Sequence, residues 1–331
     1  MDSKKIGVIG GSGFVGTRLC KRFLSSNMNF SIFDLVMGDA FPKKTTQGDV
    51  CATKDLINYS ETIDTLINLA AVHRDDEDLI AYENVNIGGA VSVCKTARKN
   101  GIQKIIFTSS VAVYGFADED TDENGKINYF NDYGRTKYLA EQVLKEWLAE
   151  DPRKRTLVII RPTVIFGEGN RGNVYNLLNQ IASKKFIMFG KGVNKKSMAY
   201  VENVAAFIEH SLSFSEGLHV YNYIDKPDLD INNLVKIARN TLFGKDNVGL
   251  RLPAFIGIAI GYTADLVSKI LNKNLPVSSI RVKKFMGTTK FHSSAIDTSF
   301  LPPVNLEQAL KSTIQYEFIE DNSDKRTFDT E

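Results

Sequence analysis

Tyr133 and Lys137 stand four residues apart in "NDYGRTKYLAEQVLKEWL", a stretch whose apolar spacing predicts a helix over 131–149, capped by Asn131 or Asp132. Positions i and i+4 share a helix face. An ammonium beside a phenol favours the phenolate. It would draw the tyrosine below its usual pKa of about 10 and make it a usable base near neutral pH. The pair alone is ordinary, since Tyr and Lys at this spacing are common on helix surfaces. Upstream, however, the apolar run "KIIFTSS" ends on Ser110. A hydroxyl at a strand end can hydrogen-bond the substrate oxygen whose proton Tyr133 removes, or Ser109 and Ser110 can simply cap the loop. Serine, tyrosine and lysine in this order suit the oxidation of an alcohol. The proton would go to Tyr133, and the C–H hydride needs an acceptor held elsewhere.

That acceptor has a site at the start of the chain. In "KKIGVIGGSGFVGTRLCKRFL" the run Ile6–Ile9 suits a buried strand, and Val15, Leu19 and Phe23 follow at helical spacing. Gly10, Gly13 and Gly16 therefore lie on a strand-to-helix turn, where free N–H groups and the helix N-terminus favour a phosphate. The next strand, "NFSIFD", ends on Asp34, placed to accept hydrogen bonds from an adenosine ribose. A carboxylate there repels a 2′-phosphate. The expected cofactor is NAD, not NADP.

The elements between these residues alternate. Strands are expected at 65–71, 104–110 and 156–162, and helices at 78–99 and 131–149. Such alternation implies an α/β fold with a doubly wound parallel sheet, whose ligand lies beyond the carboxyl ends of the strands. We expect a Rossmann domain over 1–165, with a return to its sheet at about 198–225, and a smaller interleaved substrate region over 166–331. The last dozen residues are polar and expected to fray. The 331 residues carry a net charge of +2, which gives no electrostatic case for a nucleic-acid partner. Cys20, Cys51 and Cys94 form no CxxC pair and read as buried free thiols, and the four histidines show no ligand spacing, so no metal is expected. The first strand begins at once, so no signal peptide is expected and the location reads as cytoplasmic.

The sequence resembles the extended short-chain dehydrogenase/reductases that act on nucleotide sugars, through "GGSGFVG", Asp34, "GDV" (48–50), "NLAA", "TSSVAVYG", "YGRTK", "RPTVIFG" and "MAYVENVA". The resemblance covers nearly the whole chain. It implies that Ser110, Tyr133 and Lys137 are catalytic, with Tyr133 and Lys137 also meeting the cofactor. It implies cofactor contacts from Phe14 and Val15 beside the glycines, from Asp49 and Val50 at the adenine, and from Leu69, Ala70 and Ala71 along the groove. Dehydratase members carry Asp-Glu after the serine, and decarboxylases need a carboxylate at the second position. Here Val111 and Ala112 stand there, disfavouring both chemistries. Reductive members usually prefer NADPH, which Asp34 opposes. Epimerisation remains: oxidation and re-reduction on one enzyme.

Within the family, "RPTVIFGEGNRGNVYNLL", "KSMAYVENV", "VYNYIDKPDL" and "VSSIRVKKF" are similar to bacterial 4-epimerases of undecaprenyl-diphosphate-linked N-acetylglucosamine. The sugar-diphosphate substrate would meet Arg171, Asn173, Lys196 and Arg281. Many relatives carry Arg-Asp at Lys196-Ser197 and Asp at Asn203. A soluble UDP-sugar epimerase, a net dehydrogenase and a non-catalytic NAD sensor are the alternatives, the last disfavoured because a sensor needs no YxxxK pair. Extended relatives often form homodimers through a helix pair. Finally, Leu252–Ala264 carries no charge, and as a helix spans roughly 20 Å, too short for a bilayer. Segment 252–271 is either a helix buried in the substrate region or one lying in a membrane surface, with Arg251, Lys269 and Lys273 near lipid headgroups. The resemblance favours the membrane.

Overall fold

Apolar runs separated by helices close into a parallel sheet because each crossover returns the chain to the same end of the sheet. The computed structural model describes residues 5–73, 78–117, 120–271 and 279–329. Strand β1 (Ile6–Ile9) leads into α1 (Phe14–Ser25), followed by β2 (Phe30–Asp34), β3 (Thr45–Gln47), α2 (Thr53–Tyr59) and β4 (Thr65–Asn68). Next come α3 (Leu79–Tyr82), a π-helical stretch Glu83–Gly88, α4 (Gly89–Asn100), β5 (Lys104–Thr108), α5 (Asp132–Ala149) and β6 (Thr156–Pro162). The second half holds β7 (Val164–Phe166), α6 (Asn173–Ala182), β8 (Met188–Phe189), β9 (Lys195–Tyr200), α7 (Val201–His210), β10 (Gly217–Tyr223) and β11 (Asp225–Asp230). It continues with α8 (Ile231–Phe243), β12 (Arg251–Leu252), α9 (Ala254–Leu271), α10 (Ser279–Met286) and α11 (Leu306–Phe318).

The main sheet has seven strands in the order β10-β6-β5-β4-β1-β2-β3, all parallel. Its strands are apolar on both faces because helices cover both. Ile106 and Val158 face Leu19, Phe23 and Phe207 of α1 and α7, while Ile105, Phe107 and Ile159 face Leu144 and Trp147 of α5. Strand order reverses between β1 and β4, which opens a crevice at their carboxyl ends. Within 198–225, β10 pairs with β6 and α7 packs on α1, whereas Met198–Tyr200 belong to a second sheet, β11-β9-β7. A third core of α6, α8 and α11 residues, including Leu178, Leu234 and Leu310, lies under the C-terminal half.

Two expectations are corrected. The tail does not fray as far as Phe328, whose N–H donates to Gly169 O at 2.8 Å and whose carbonyl accepts from Arg171 N at 2.9 Å. Its ring packs on Phe14, an apolar anchor hidden in a polar average. Cys51 is exposed, unlike the buried Cys20 and Cys94. Of the two alternatives for segment 252–271, burial is the one that α9 does not take. Gly257 and Gly261 turn inward, Gly257 against the Phe189 ring, while Phe255 (70%), Tyr262 (54%) and Ile260 (43%) stand exposed. Among the described residues no helix is long and apolar enough to cross a membrane. Lys273 lies outside the described residues.

The glycine turn yields a stability prediction. A Cβ on Gly16 would lie 2.5 Å from Gly10 O and 2.6 Å from Gly11 Cα, whereas one on Gly13 would meet only Gly10 O, at 3.3 Å. Gly16→Ala should lower the urea midpoint by the equivalent of about 1–3 kcal/mol. Gly13→Ala should stay within about 1 kcal/mol of wild type in the same titration, yet bind NAD more weakly.

Candidate active site

The crevice is built from backbone. Gly10 takes φ +78°, and a Cβ there would lie 2.8 Å from Ala70 N. Gly10 N–H donates to Phe33 O, and Leu69 N–H to Ile9 O, both at 2.9 Å, so the ends of β1, β2 and β4 are tied together. No side chain caps α1 at Gly13, and its first turn carries no acidic residue. With only Gly10 O close to Gly13, those free N–H groups fit a diphosphate. Phe14 is buried and Val15 half-buried at the first turn of that helix. Asp34 ends β2, accepting from Ser12 N at 2.8 Å and Val36 N at 3.0 Å. A carboxylate has about four acceptor sites, so capacity remains for ribose hydroxyls. Asp49 is exposed, Val50 is buried against Gly89, and Leu69, Ala70 and Ala71 run half-buried along the crevice. The residues present fit NAD.

Ser110, Tyr133 and Lys137 converge beside this groove. Ser110 follows β5; its hydroxyl accepts from Ala112 N at 3.1 Å and lies near enough to Tyr133 to favour the phenolate. Asn131 caps α5 by accepting from Gly134 N at 3.0 Å, which sets where Tyr133 enters the crevice. Lys137 is buried; its Nζ donates to Thr108 O at 2.8 Å and lies 5.9 Å from the Tyr133 ring centroid. The electrostatics differ from the expected phenolate. Burial pushes the Tyr133 hydroxyl up to about 12, against the pull of the Ser110 hydroxyl. Burial likewise pushes Lys137 down to about 7, with the charge of Glu141 pulling it back up. The i, i+4 argument assumed a solvated helix face, and this face is not solvated.

Several residues at the site carry no motif signal. Asn86, on the π-helical stretch, accepts from Val72 N at 2.9 Å and donates to Val72 O at 3.0 Å and Thr136 Oγ1 at 2.9 Å. It pins the groove segment to α5 beside Lys137. Beneath Ser110, Glu141 takes both forks of Arg161, at 2.8 and 2.6 Å, and a hydrogen bond from Ser109 Oγ at 2.6 Å. Arg161 continues to Tyr114 OH at 2.6 Å, which donates to Asn222 Oδ1 at 2.9 Å. Arg161 was findable: a charge inside "TLVIIRP", a strand buried throughout, requires a partner.

The substrate candidates are less open than expected. Arg171 is ion-paired to Glu317 at 2.7 Å and stacks on the Tyr175 ring, so a diphosphate would have to compete with a carboxylate. Lys196 Nζ donates to Gly287 O at 2.6 Å and Thr289 Oγ1 at 3.3 Å, and burial pushes its pKa down to about 8. Asn173 is exposed at the first turn of α6. The Arg281 side chain lies outside the described residues. Asn203 braces the interior instead, donating to Asp225 Oδ1 at 2.9 Å and Val304 O at 2.7 Å. Burial pushes Asp225 up to about 6, and an aspartate at 203 would set a second carboxylate against it.

Comparison with known proteins places this architecture. The chain is 46% identical over 327 residues to the N-acetyl-alpha-D-glucosaminyl-diphospho-ditrans,octacis-undecaprenol 4-epimerase of Escherichia coli O157:H7, covering 98% of each. Its fold is shared by UDP-glucuronic acid 4-epimerase from Bacillus cereus in complex with NAD, with a TM-score of 0.72, 19% identity, and 94% and 98% of the two chains covered. It is also shared by UDP-N-acetylglucosamine 4-epimerase from Methanobrevibacter ruminantium M1 in complex with UDP-N-acetylmuramic acid, with a TM-score of 0.74, 21% identity, and 96% and 98% covered. Residues 6–223, which span the whole main sheet and the crevice at its switch point, match one family profile, and the chain belongs to the NAD dependent epimerase/dehydratase family.

Proposed function

We propose that the protein is an NAD-dependent 4-epimerase acting on N-acetylglucosamine carried by undecaprenyl diphosphate. The observation that carries this reading is the 46% identity, over 98% of both chains, to an enzyme named for that reaction. Gly10, Gly13, Gly16 and Asp34 hold the cofactor, with Asp34 selecting NAD by repelling a 2′-phosphate. Bound NAD supplies the hydride acceptor and donor and, when oxidised, a positive charge that favours the phenolate. Tyr133 takes the proton of the 4-hydroxyl and later returns it. Ser110 hydrogen-bonds the same oxygen. Lys137, anchored on Thr108 O, stands beneath the tyrosine ring as the local cation. The 4-keto sugar turns over in the crevice before it is reduced on its other face. Residues of the C-terminal half hold the sugar diphosphate. Val111 and Ala112 supply no acid or base, which leaves elimination and decarboxylation without a catalyst.

An undecaprenyl tail stays in the bilayer, so this substrate has to be met at a membrane. The exposed apolar side of α9 supplies the contact in this reading. Phe255 and Tyr262 lie opposite the two inward glycines, with Ile260 exposed on the flank, a surface that water alone would leave costly. The protein would then work at the cytoplasmic membrane surface as a peripheral enzyme.

Four experiments test these statements. Lipid-linked and UDP-linked N-acetylglucosamine, incubated separately, should give 4-epimerised sugar after mild acid release from the lipid-linked pool; conversion of the UDP-sugar alone would overturn the lipid-linked reading. In the same programme Phe255→Asp/Tyr262→Asp should abolish sedimentation with anionic vesicles while keeping bound NAD. Tyr133→Phe should retain fold and NAD but lose roughly 10²-fold or more in kcat, and activity within a few-fold of wild type would remove Tyr133 from the mechanism. Titration of the cofactor-free protein should show NAD binding far better than NADP, and Asp34→Ala should narrow that gap.

A further inference from the structure

Ser109 and Ser110 are consecutive residues at a strand end, so their side chains leave the backbone in opposite directions. Ser110, with φ −161° and ψ 150°, sends its hydroxyl into the crevice toward Tyr133. Ser109 sends its hydroxyl the other way, to Glu141 Oε1 at 2.6 Å, where the serine is 2% exposed and the glutamate 0%. Glu141 sits on α5 at the i+8 position from Tyr133 and i+4 from Lys137, on the face that carries both. This hydrogen bond, with that of Lys137 Nζ to Thr108 O, joins the strand that bears the candidate serine to the helix that bears the candidate tyrosine.

We propose that Ser109 is a positioning residue of the reaction: its hydroxyl, clasped by the Glu141 carboxylate, sets the roll of the β5 end and so aims Ser110 at the oxygen shared with Tyr133. The hydroxyl is not needed for the sheet, because Ser109 N–H already donates to Ile160 O at 2.7 Å. Nor is it needed to satisfy the carboxylate's charge, because Arg161 holds both oxygens, at 2.8 and 2.6 Å. What remains for it to determine is direction. Arg161 in turn is fixed by Tyr114, so Glu141 presents Oε1 from a rigid mount. A small rotation at Ser109 becomes a displacement of the Ser110 hydroxyl, and misplacement of reacting groups by about 1 Å costs rate steeply.

The inference rests on the catalytic reading of Ser110 and Tyr133, and a double-mutant cycle separates the two. Removing Glu141 is a poor probe, since it would strand a buried guanidinium. Ser109→Ala leaves the ion pair intact. With lipid-linked substrate, it should lower kcat by more than about threefold, and up to 10²-fold, at unchanged KM and bound NAD, with a melting temperature lower by a few degrees at most. Ser109→Ala/Ser110→Ala should be no slower than Ser110→Ala, because a residue acting through Ser110 has nothing left to aim. If Ser109→Ala costs about threefold or less, or if its loss multiplies with that of Ser110→Ala, the positioning role is wrong while the catalytic reading stands. If Ser110→Ala is itself as fast as wild type, the catalytic reading falls and takes this inference with it.

Discussion

The backbone of Ala70 lies so close to Gly10 that a Cβ there would come within 2.8 Å of its nitrogen, and the functional half of the molecule is arranged around that contact. The residue after β1 takes a left-handed conformation open to glycine, and at Gly13, where α1 begins, a Cβ would meet only Gly10 O. Because the sheet order reverses between β1 and β4, the contact also decides which strand ends face each other. Asp34 and the turn lie on one bank, Ser110 and the start of α5 on the other. Asn68 and Asn86 then hold the segment 69–72 against its neighbours through Ala70 N and Val72 N.

On the second bank the organising element is polar. Arg161 and Glu141 are almost fully buried, and such a pair is weak evidence for stability, since desolvation consumes much of the attraction. Its effect here is geometric. Arg161 comes from β6, Glu141 from α5, Tyr114 from the turn after Ser110 and Asn222 from β10, so one chain of hydrogen bonds fixes four segments relative to one another. Every member has its partners, which is the condition under which a buried network rigidifies a core.

Much of this was legible in the residues themselves. "TLVIIRP" is β6 to the residue, because a buried parallel strand is a continuous apolar run bounded by turn chemistry. The glycine turn and Asp34 were readable because backbone geometry dictates residue type there, whatever surrounds it. Side-chain electrostatics were not. Tyr133 and Lys137 share the expected face, yet burial reverses the predicted direction for the phenol, and burial is a property of the fold, not of spacing. Arg171 looked free for an anion because Glu317, its partner, is far away in sequence. Asn86 gave no signal because its inward position depends on a π-helical turn. Phe328 was averaged away among polar neighbours.

The cover of α1 has a consequence for biosynthesis. Leu19, Phe23 and Phe14 leave the ribosome among the first residues made, but much of what buries them comes later: α7, whose Phe207 shares their core, against α1, and Phe328 over Phe14. At roughly 5–20 residues per second, an apolar flank of the nucleotide-binding helix stays bare for on the order of ten seconds or more during translation. Over that interval β1, β2 and β4 can pair, but one face of their sheet lacks its helix α7, and its edge waits for β10. The nascent chain is thus a natural client for chaperones that shield apolar surface, and completion of the main sheet is tied to synthesis of the C-terminal half.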